Sequence, residues 1–292
     1  PVTRGTAENP ETFFTHREAS NSHYDAIPDV VEHYLGEISK ITGREYHCFS
    51  YYGAEDAENI IILMGSATEA AREAIDYLTS EGKKVGMISV HLYRPFSVKH
   101  LFAAVPKTVK KIAVLDRTKE PGAEGEPLYL DVKSAFYDQE NRPVIVGGRY
   151  GLGSSDITPA KIISVYNNLE LPEPKNHFTV GIVDDVTFTS LPAVEEMALG
   201  GKSIYEAKFF GLGADGTVGA NKNSVKIIGD NTNKHCQAYF SYDSKKSGGF
   251  TCSHLRFGDE PIRSTYQITT PNFVACHVQA YLNMYDVTRG IR

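Results

Sequence analysis

The chain has 292 residues, of which 41% are hydrophobic, and its 30 Lys and Arg against 36 Asp and Glu give a formal net charge of −6. This composition can bury the cores of one large or two ordinary domains, and it excludes a disordered chain or a broadly basic nucleic-acid-binding surface. The longest apolar run, residues 60–64, is far shorter than the ~20 residues of a membrane span, so neither nucleic acid nor a membrane is an expected partner.

The first 45 residues are predicted to form a connecting arm followed by a helix. Residues 1–30 are polar and mixed and carry no core pattern. From Asp29 onward, apolar side chains recur at helical spacing as far as Ile38, and Gly43 lies beyond the predicted end of the helix.

Residues 46–170 alternate short apolar runs with helical patterns, which predicts βαβ units in a doubly wound, mostly parallel sheet between two layers of helices. A Ser-Ala-Thr-Glu capping box at residues 66–69 is expected to start the first helix of this domain. The predicted strands are residues 58–64, 84–92, 111–115 and 143–146. The predicted helices are residues 67–81 and a helix beginning at residue 97.

Residues 171–202 hold three prolines and no long periodic element, which is typical of a linker between domains. Residues 203–292 are predicted to form a second three-layer α/β domain, Rossmann-like and truncated. Its expected elements are strands at 206–210, 237–241 and 251–257, a helix after a glycine-rich turn, and a final helix at 272–285.

The glycine-rich turn is the strongest candidate for a binding site. Gly211, Gly213 and Gly216 satisfy GxGxxG between a predicted strand and a helix, where bare backbone amides can approach a phosphate. Because the net charge is mildly repulsive to anions, such a site has to be built locally. The predicted binding residues of the turn are Gly213, Ala214, Asp215, Gly216, Thr217, Val218, Asn221 and Lys222.

A second turn, residues 243–249 (DSKKSGG), places Lys245 and Lys246 beside small hydroxyl residues and a glycine pair. Two lysines in a hairpin usually form a solvated turn. In the same small domain as a phosphate-binding loop, they are equally well interpreted as an anion clamp, and both are predicted to bind the ligand.

Two other functions stay open. A nicotinamide-dependent dehydrogenase module would use Gly211 to Gly216, but it requires an acidic residue about 20 positions further on. Asp230 lies only 14 positions beyond Gly216, which is short for that role. A purely structural association module is the other alternative.

Neither metal nor nucleophile chemistry is predicted from the chain's own residues. The four cysteines are widely spaced and form no CxxC pair, and no iron–sulfur or histidine ligand spacing occurs. Without a secretion signal, the cysteines are expected to be reduced thiols in a cytoplasmic protein. No catalytic residue and no metal ligand are predicted in this chain.

Six strings, in order along nearly the whole chain, resemble the pyruvate:ferredoxin (flavodoxin) oxidoreductase family. They are residues 4–10 (RGTAENP), 92–96 (LYRPF), 115–132 (LDRTKEPGAEGEPLYLDV), 147–151 (GGRYG), 211–222 (GLGADGTVGANK), and 243–249 with 253–258 (SHLRFG). The resemblance implies that residues 46–170 are a transketolase C-terminal-like scaffold domain. It also implies that residues 203–292 are the front of a gamma-type domain that takes part in coenzyme A binding.

Family members decarboxylate pyruvate on thiamine diphosphate with Mg²⁺ and pass electrons through [4Fe-4S] clusters to ferredoxin or flavodoxin. They release acetyl-CoA, and a homodimer is expected for the full enzyme. The thiamine and cluster domains have no counterpart here, and the chain starts at Pro1 without a Met. The sequence is therefore expected to be an internal fragment that holds coenzyme A as substrate, needs the remaining domains, and is inactive alone.

Overall fold

Two β-sheets organise the chain, one drawn from residues 49–179 and the other from residues 205–276. The computed structural model describes residues 7–199, 201, 203–242, 248–263 and 265–292. The helices are α1 (Pro10–Ala19), α2 (Asn21–Thr42), α3 (Ala67–Ser80), α4 (Val98–Ala104), α5 (Pro127–Ala135), α6 (Pro159–Glu170), α7 (Thr217–Asn231) and α8 (Tyr281–Met284). The strands are β1 (Phe49–Gly53), β2 (Asn59–Leu63), β3 (Val85–Val90), β4 (Lys111–Asp116), β5 (Val144–Arg149), β6 (Phe178–Thr179), β7 (Tyr205–Leu212), β8 (His235–Tyr242), β9 (Phe250–Gly258) and β10 (Phe273–Cys276).

The first sheet has the order β1-β3-β2-β4-β5-β6. All its pairs are parallel except β1 with β3. Helices α3 and α6 cover one face, and α2, α4 and α5 contribute to the cluster on the other. Strand β2 is buried on both faces, which explains its uninterrupted apolar sequence. The predicted three-layer, mostly parallel domain is confirmed.

The N-terminal arm is more helical than expected. Helix α1 begins at Pro10, which suits the first helical position because its missing amide would have no partner there. Helix α2 begins at Asn21, eight residues before the predicted start, and continues through Pro28. The prediction failed because the apolar pattern begins only where α2 contacts the sheet, through Val31 and Leu35.

Four elements of the first domain were not predicted from the residues: β1, α5, α6 and β6. The expected capping box at Ser66 does not form, because the Ser66 side chain accepts no amide hydrogen bond at the start of α3. Instead, the Thr68 hydroxyl donates to the Gly65 carbonyl at 2.9 Å.

Residues 171–199 run along the first sheet without a long element. Phe178 in β6 is fully buried, and Val180 is in the same core. An added Cβ at Gly148 would lie 2.1 Å from a ring carbon of Phe178, so the ring occupies space that only glycine leaves open. Leu191 and Met197 pack against this core as partly buried side chains.

The second sheet is mixed, with the order β10-β7-β9-β8. Strand β10 pairs parallel with β7, and β9 pairs antiparallel with both β7 and β8. Helix α7 packs on one face, where the ammonium group of Lys222 lies over the Phe240 ring. Tyr281 and Val287 pack with Phe210 on the other face. The α/β class is confirmed, but the doubly wound pattern is limited to the first domain.

The helix predicted at residues 272–285 is wrong. Residues 273–276 form strand β10, and only Tyr281–Met284 is helical. The apolar residues of this stretch also satisfied helical spacing, but Val274 to Cys276 pair with β7 and bury their backbone in the sheet. None of the described helices has the length and hydropathy needed to cross a membrane.

Acid is expected to destabilise the second domain through His254. Desolvation lowers the pKa of His254 to about 3, with further contributions from the charges of Lys208 and Arg256, and its Nδ1 accepts the Ile268 amide at 3.0 Å. In the unfolded chain His254 has a pKa of about 6.5, so below this pH it binds a proton that it does not bind in the folded chain. The free energy of unfolding therefore falls as the pH drops towards 3. His254→Asn keeps an acceptor and removes the titration.

Urea unfolding at about pH 7 and about pH 5 measures this effect. The parent chain should lose about 2 kcal/mol more than the variant between the two conditions. An equal loss in both proteins would show that His254 does not stay neutral in the folded state.

Candidate functional site

The predicted phosphate loop joins the end of β7 to the start of α7. Strand β7 ends at Leu212, and α7 begins at Thr217 with Gly216 as its N-terminal cap. Ala214 and Gly216 have φ angles of +74° and +90°, so the chain turns sharply here. An added Cβ at Gly211 would lie 2.7 Å from the Thr217 side chain, which shows how closely strand and helix approach.

The loop is exposed at residues 214–216, and only part of its amides is free. Three amides donate within the chain: those of Gly213, Asp215 and Thr217. For three others, no acceptor is found among the described residues: those of Ala214, Gly216 and Val218. The free amides include two at the N-terminal end of a 15-residue helix, where the helix dipole favours an anion.

Asp215 is part of the loop's own support. Its carboxylate accepts the Leu212 amide at 2.7 Å and the Thr217 amide at 2.8 Å. Desolvation opposes its ionisation, but these amide hydrogen bonds prevail and hold the pKa of Asp215 below its usual range. A fixed negative charge therefore lies at the helix end, and a bound phosphate would share the amides with it.

The two predicted side-chain donors on α7 point to different environments. Asn221 is buried, and its amide donates to the Thr217 carbonyl at 2.9 Å, so one of its two hydrogens is already used inside the helix. Lys222 is exposed, with its ammonium nitrogen 5.4 Å from the Phe240 ring centroid. Lys222 therefore provides an exposed cation on α7, whereas Asn221 bonds within the first turns of the helix.

Lys245 and Lys246 lie outside the described residues. The described end of their turn is tied to the loop, because Gly213 donates to the Gly249 carbonyl at 2.7 Å and accepts from the Gly248 amide at 3.2 Å. The two glycine-rich turns predicted from the sequence therefore meet.

His277 was missed by the sequence reasoning. Its Nδ1 lies 2.8 Å from the Thr217 hydroxyl, and its backbone amide donates to the Phe210 carbonyl at 2.9 Å. It follows β10 directly, and the parallel pairing of β10 with β7 brings it to the loop. The short apolar run before His277 is compatible with a strand that ends near the loop. This was overlooked because residues 272–285 were interpreted as a helix.

The geometry argues against the nicotinamide alternative. Asp230 lies near the far end of α7, which at 1.5 Å per residue is about 20 Å from Gly216. Within the described part of the chain, Asp230 therefore does not lie beside the glycine-rich turn.

The described residues form no cluster of metal-ligating side chains. No group of three or more His, Cys, Asp or Glu side chains in the described part of the chain can hold a metal ion. All four cysteines are free thiols, two of them buried. Burial raises the pKa of Cys252 to about 11, which disfavours the thiolate that a metal requires.

Two protein-family models match the chain. Residues 57–162 match the model described as pyruvate:ferredoxin oxidoreductase core domain II. Residues 206–291 match the model described as pyruvate ferredoxin/flavodoxin oxidoreductase. The first match covers β2 to β5 and the start of α6, and the second covers most of the second sheet with the glycine-rich loop.

Curated relatives extend the similarity over the full chain. It is 58% identical over 293 residues to a pyruvate-flavodoxin oxidoreductase of Enterobacter agglomerans, covering 100% of this chain and 25% of that protein. It is 52% identical over 292 residues to a pyruvate:ferredoxin oxidoreductase of Moorella thermoacetica, again covering 100% and 25%. The chain thus spans about a quarter of the length of these relatives.

Among solved structures, one match is a 2-oxoglutarate:ferredoxin oxidoreductase from Magnetococcus marinus, solved with 2-oxoglutarate, coenzyme A and succinyl-CoA bound. The match has a TM-score of 0.31 and 24% identity, and it covers 44% of this chain and 20% of the other.

Proposed function

The chain belongs to the pyruvate ferredoxin/flavodoxin oxidoreductase family, and from this premise we propose that it supplies a scaffold and part of the coenzyme A site of such an enzyme. The reaction is the conversion of pyruvate, coenzyme A and an oxidised ferredoxin or flavodoxin to acetyl-CoA, CO₂ and the reduced carrier. The observation that carries the proposal is 58% identity over the whole chain to a pyruvate-flavodoxin oxidoreductase.

The exposed loop supports coenzyme A as the ligand of the second domain. Coenzyme A carries a pyrophosphate and a 3′-phosphate, and free amides at a helix N-terminus are suited to such groups. Lys222 provides a nearby cation, and Lys245 with Lys246 belongs to the same proposed site. In this role the residues hold and orient the acyl acceptor near the reacting centre, which is a proximity effect.

The remaining chemistry is proposed to lie outside this chain. Thiamine diphosphate with Mg²⁺ would supply decarboxylation, and [4Fe-4S] clusters would carry single electrons to the acceptor. The segments 46–170 and 203–292 are proposed as the scaffold and gamma-type domains, with 1–45 as the arm and 171–202 as the linker. The proposed enzyme is a cytoplasmic homodimer, and the chain alone is expected to be inactive.

A chimera tests the proposal. The corresponding quarter of the Enterobacter agglomerans enzyme is replaced by this chain, and coenzyme A-dependent reduction of methyl viologen by pyruvate is measured. The chimera should retain this activity. A chimera that assembles with its clusters and thiamine diphosphate but cannot turn over pyruvate would contradict the proposed function.

Within that chimera, Lys222→Ala is expected to raise the KM for coenzyme A roughly tenfold, because one charge-assisted hydrogen bond is lost. Turnover at saturating coenzyme A should hardly change. Lys226→Ala is the matched control, since Lys226 is exposed on the same helix one turn further from the loop. Equal KM values in the two variants would remove Lys222 from the site.

A further inference from the structure

A second crevice lies in the first domain, at the point where the strand order of its sheet reverses. Strand β3 lies on one side of β2 in the sheet, and β4, the next strand along the chain, lies on the other side of β2. The helices that follow β2 and β4 pack on opposite faces, since α3 and α5 belong to different core clusters. In open α/β sheets, the gap outside the carboxyl ends of two such strands is where ligands bind.

This crevice is a cavity of about 330 Å³, within the range of about 300–1,000 Å³ that small-molecule sites occupy. Its residues come from the carboxyl ends of four strands and the first turn of α5. The lining side chains are mainly apolar or aromatic: Met64, Leu115, Tyr93, Tyr150 and Pro127.

Two aromatic rings of the lining are fixed in place. Tyr150 is 3% exposed, and its hydroxyl donates to the Met64 carbonyl at 3.4 Å. Tyr93 is stacked by the Arg94 guanidinium, 3.9 Å from the ring centroid, and Arg94 in turn pairs with Asp131 at 2.7 Å. The walls are therefore ordered without a ligand, which lowers the entropy lost on binding.

The crevice is lined by one carboxylate and one guanidinium. Asp116 lines it, but its two oxygens accept the amides of Leu128 and Tyr129, so the start of α5 offsets its charge. Arg117 also lines it, and among the described residues only its Nε has an acceptor, the Gly151 carbonyl at 3.0 Å. Gly65 and Ser66 at the start of α3 line the same cavity, and the Ser66 side chain does not cap the helix. The Thr68 and Glu69 amides donate to the Gly65 and Ser66 carbonyls, whereas the Ala67 amide has no acceptor among the described residues.

We propose that this crevice binds a small amphipathic carboxylate. The carboxylate lies against the Arg117 guanidinium and the uncapped start of α3, and an aliphatic or aromatic body fills the space between Tyr93, Tyr150 and Leu115. The site is separate from the glycine-rich loop, and it stands or falls independently of the proposed coenzyme A function.

The test uses the 292-residue chain with 3-phenylpropionate as the probe and 3-phenylpropanamide as its neutral counterpart. Saturation transfer to the phenyl protons and a titration of chemical shifts measure binding. The carboxylate should bind at least about tenfold more tightly than the amide, because only the carboxylate forms a charged pair with arginine. Equal binding of the two probes would overturn the proposal, as would no saturation transfer to the carboxylate.

Arg117→Gln should weaken 3-phenylpropionate about tenfold without altering the melting temperature, because Arg117 is exposed. Arg142→Gln is the matched control, an exposed arginine that is absent from the cavity lining and bonds the Tyr137 carbonyl. Thr118→Trp, at the rim, should block the probe. Unchanged affinity in Arg117→Gln, or displacement of the probe by equimolar inorganic phosphate, would refute a carboxylate site.

Discussion

Phe178→Ala is expected to destabilise the chain by about 3–5 kcal/mol, the usual cost of truncating a buried phenylalanine. The Phe178 side chain is fully buried and lies directly over Gly148 in the neighbouring strand. β6 has only two residues, so few backbone hydrogen bonds would hold it once the ring is lost. The vacated volume cannot be filled by Gly148, which has no side chain.

Urea unfolding of the parent and the variant measures this difference. Phe188→Ala provides the matched control, because Phe188 lies ten residues further along the same segment with 74% of its surface exposed. The control should change stability by no more than about 0.5 kcal/mol. A comparable loss in both variants would mean that Phe178 does not anchor the segment.

Arg256→Ala is expected to cost the second domain about 3–5 kcal/mol, because it removes the buried one of the two arginines that pair with the buried Glu206 carboxylate. The Arg256 side chain is 5% exposed and its Nε donates to Glu206 at 2.5 Å. It also donates to the Gln237 side chain and to the carbonyls of Thr265 and Gln267, so it fixes a loop as well as a charge. Arg292 contacts Glu206 at 2.7 Å and retains part of the compensation.

The control for Arg256 is Arg263→Ala. Arg263 pairs with Asp76 at 3.2 Å, and both side chains are 40% or more exposed. Exposed ion pairs contribute about 1 kcal/mol or less. In thermal unfolding, Arg256→Ala should therefore lower the melting temperature clearly more than Arg263→Ala. A smaller decrease for Arg256→Ala would contradict the importance of the buried pair.

The first sheet was largely predictable because strands that are buried on both faces have continuously apolar sequences. The predicted strands at 58–64 and 84–92 contain the observed β2 and β3, and the predicted strand at 111–115 covers β4 except for its last residue. The chain leaves β2 through a turn at Gly65 and leaves α3 through a turn at Gly82, and both glycines have positive φ angles.

The remaining elements depend on contacts that a local pattern does not show. Residues 273–276 satisfy helical and strand spacing equally, and only pairing with β7 decides between them. β6 is too short to carry a period, and its position follows from Phe178 filling the space over Gly148.

The sequence predicted the backbone of the candidate site, but it did not indicate which polar groups of the site are already hydrogen-bonded within the chain. The turn and the helix start are where GxGxxG placed them. The sequence did not indicate that Asp215 would accept two amides of the loop, or that Asn221 would bond within the helix. The Asp215 contacts depend on the positive φ angles at Ala214 and Gly216, which no spacing rule specifies.

The carboxylate of Asp215 affects how long a phosphate would stay bound at the start of α7. A phosphate at the start of α7 would meet amides that are partly engaged and the negative charge of Asp215, so we expect it to dissociate quickly. In the proposed coenzyme A function, the substrate and the thioester product would carry identical phosphates, and tight binding of these phosphates would retain the product as long as the substrate. A loop that partly neutralises its own helix end favours rapid exchange of one for the other.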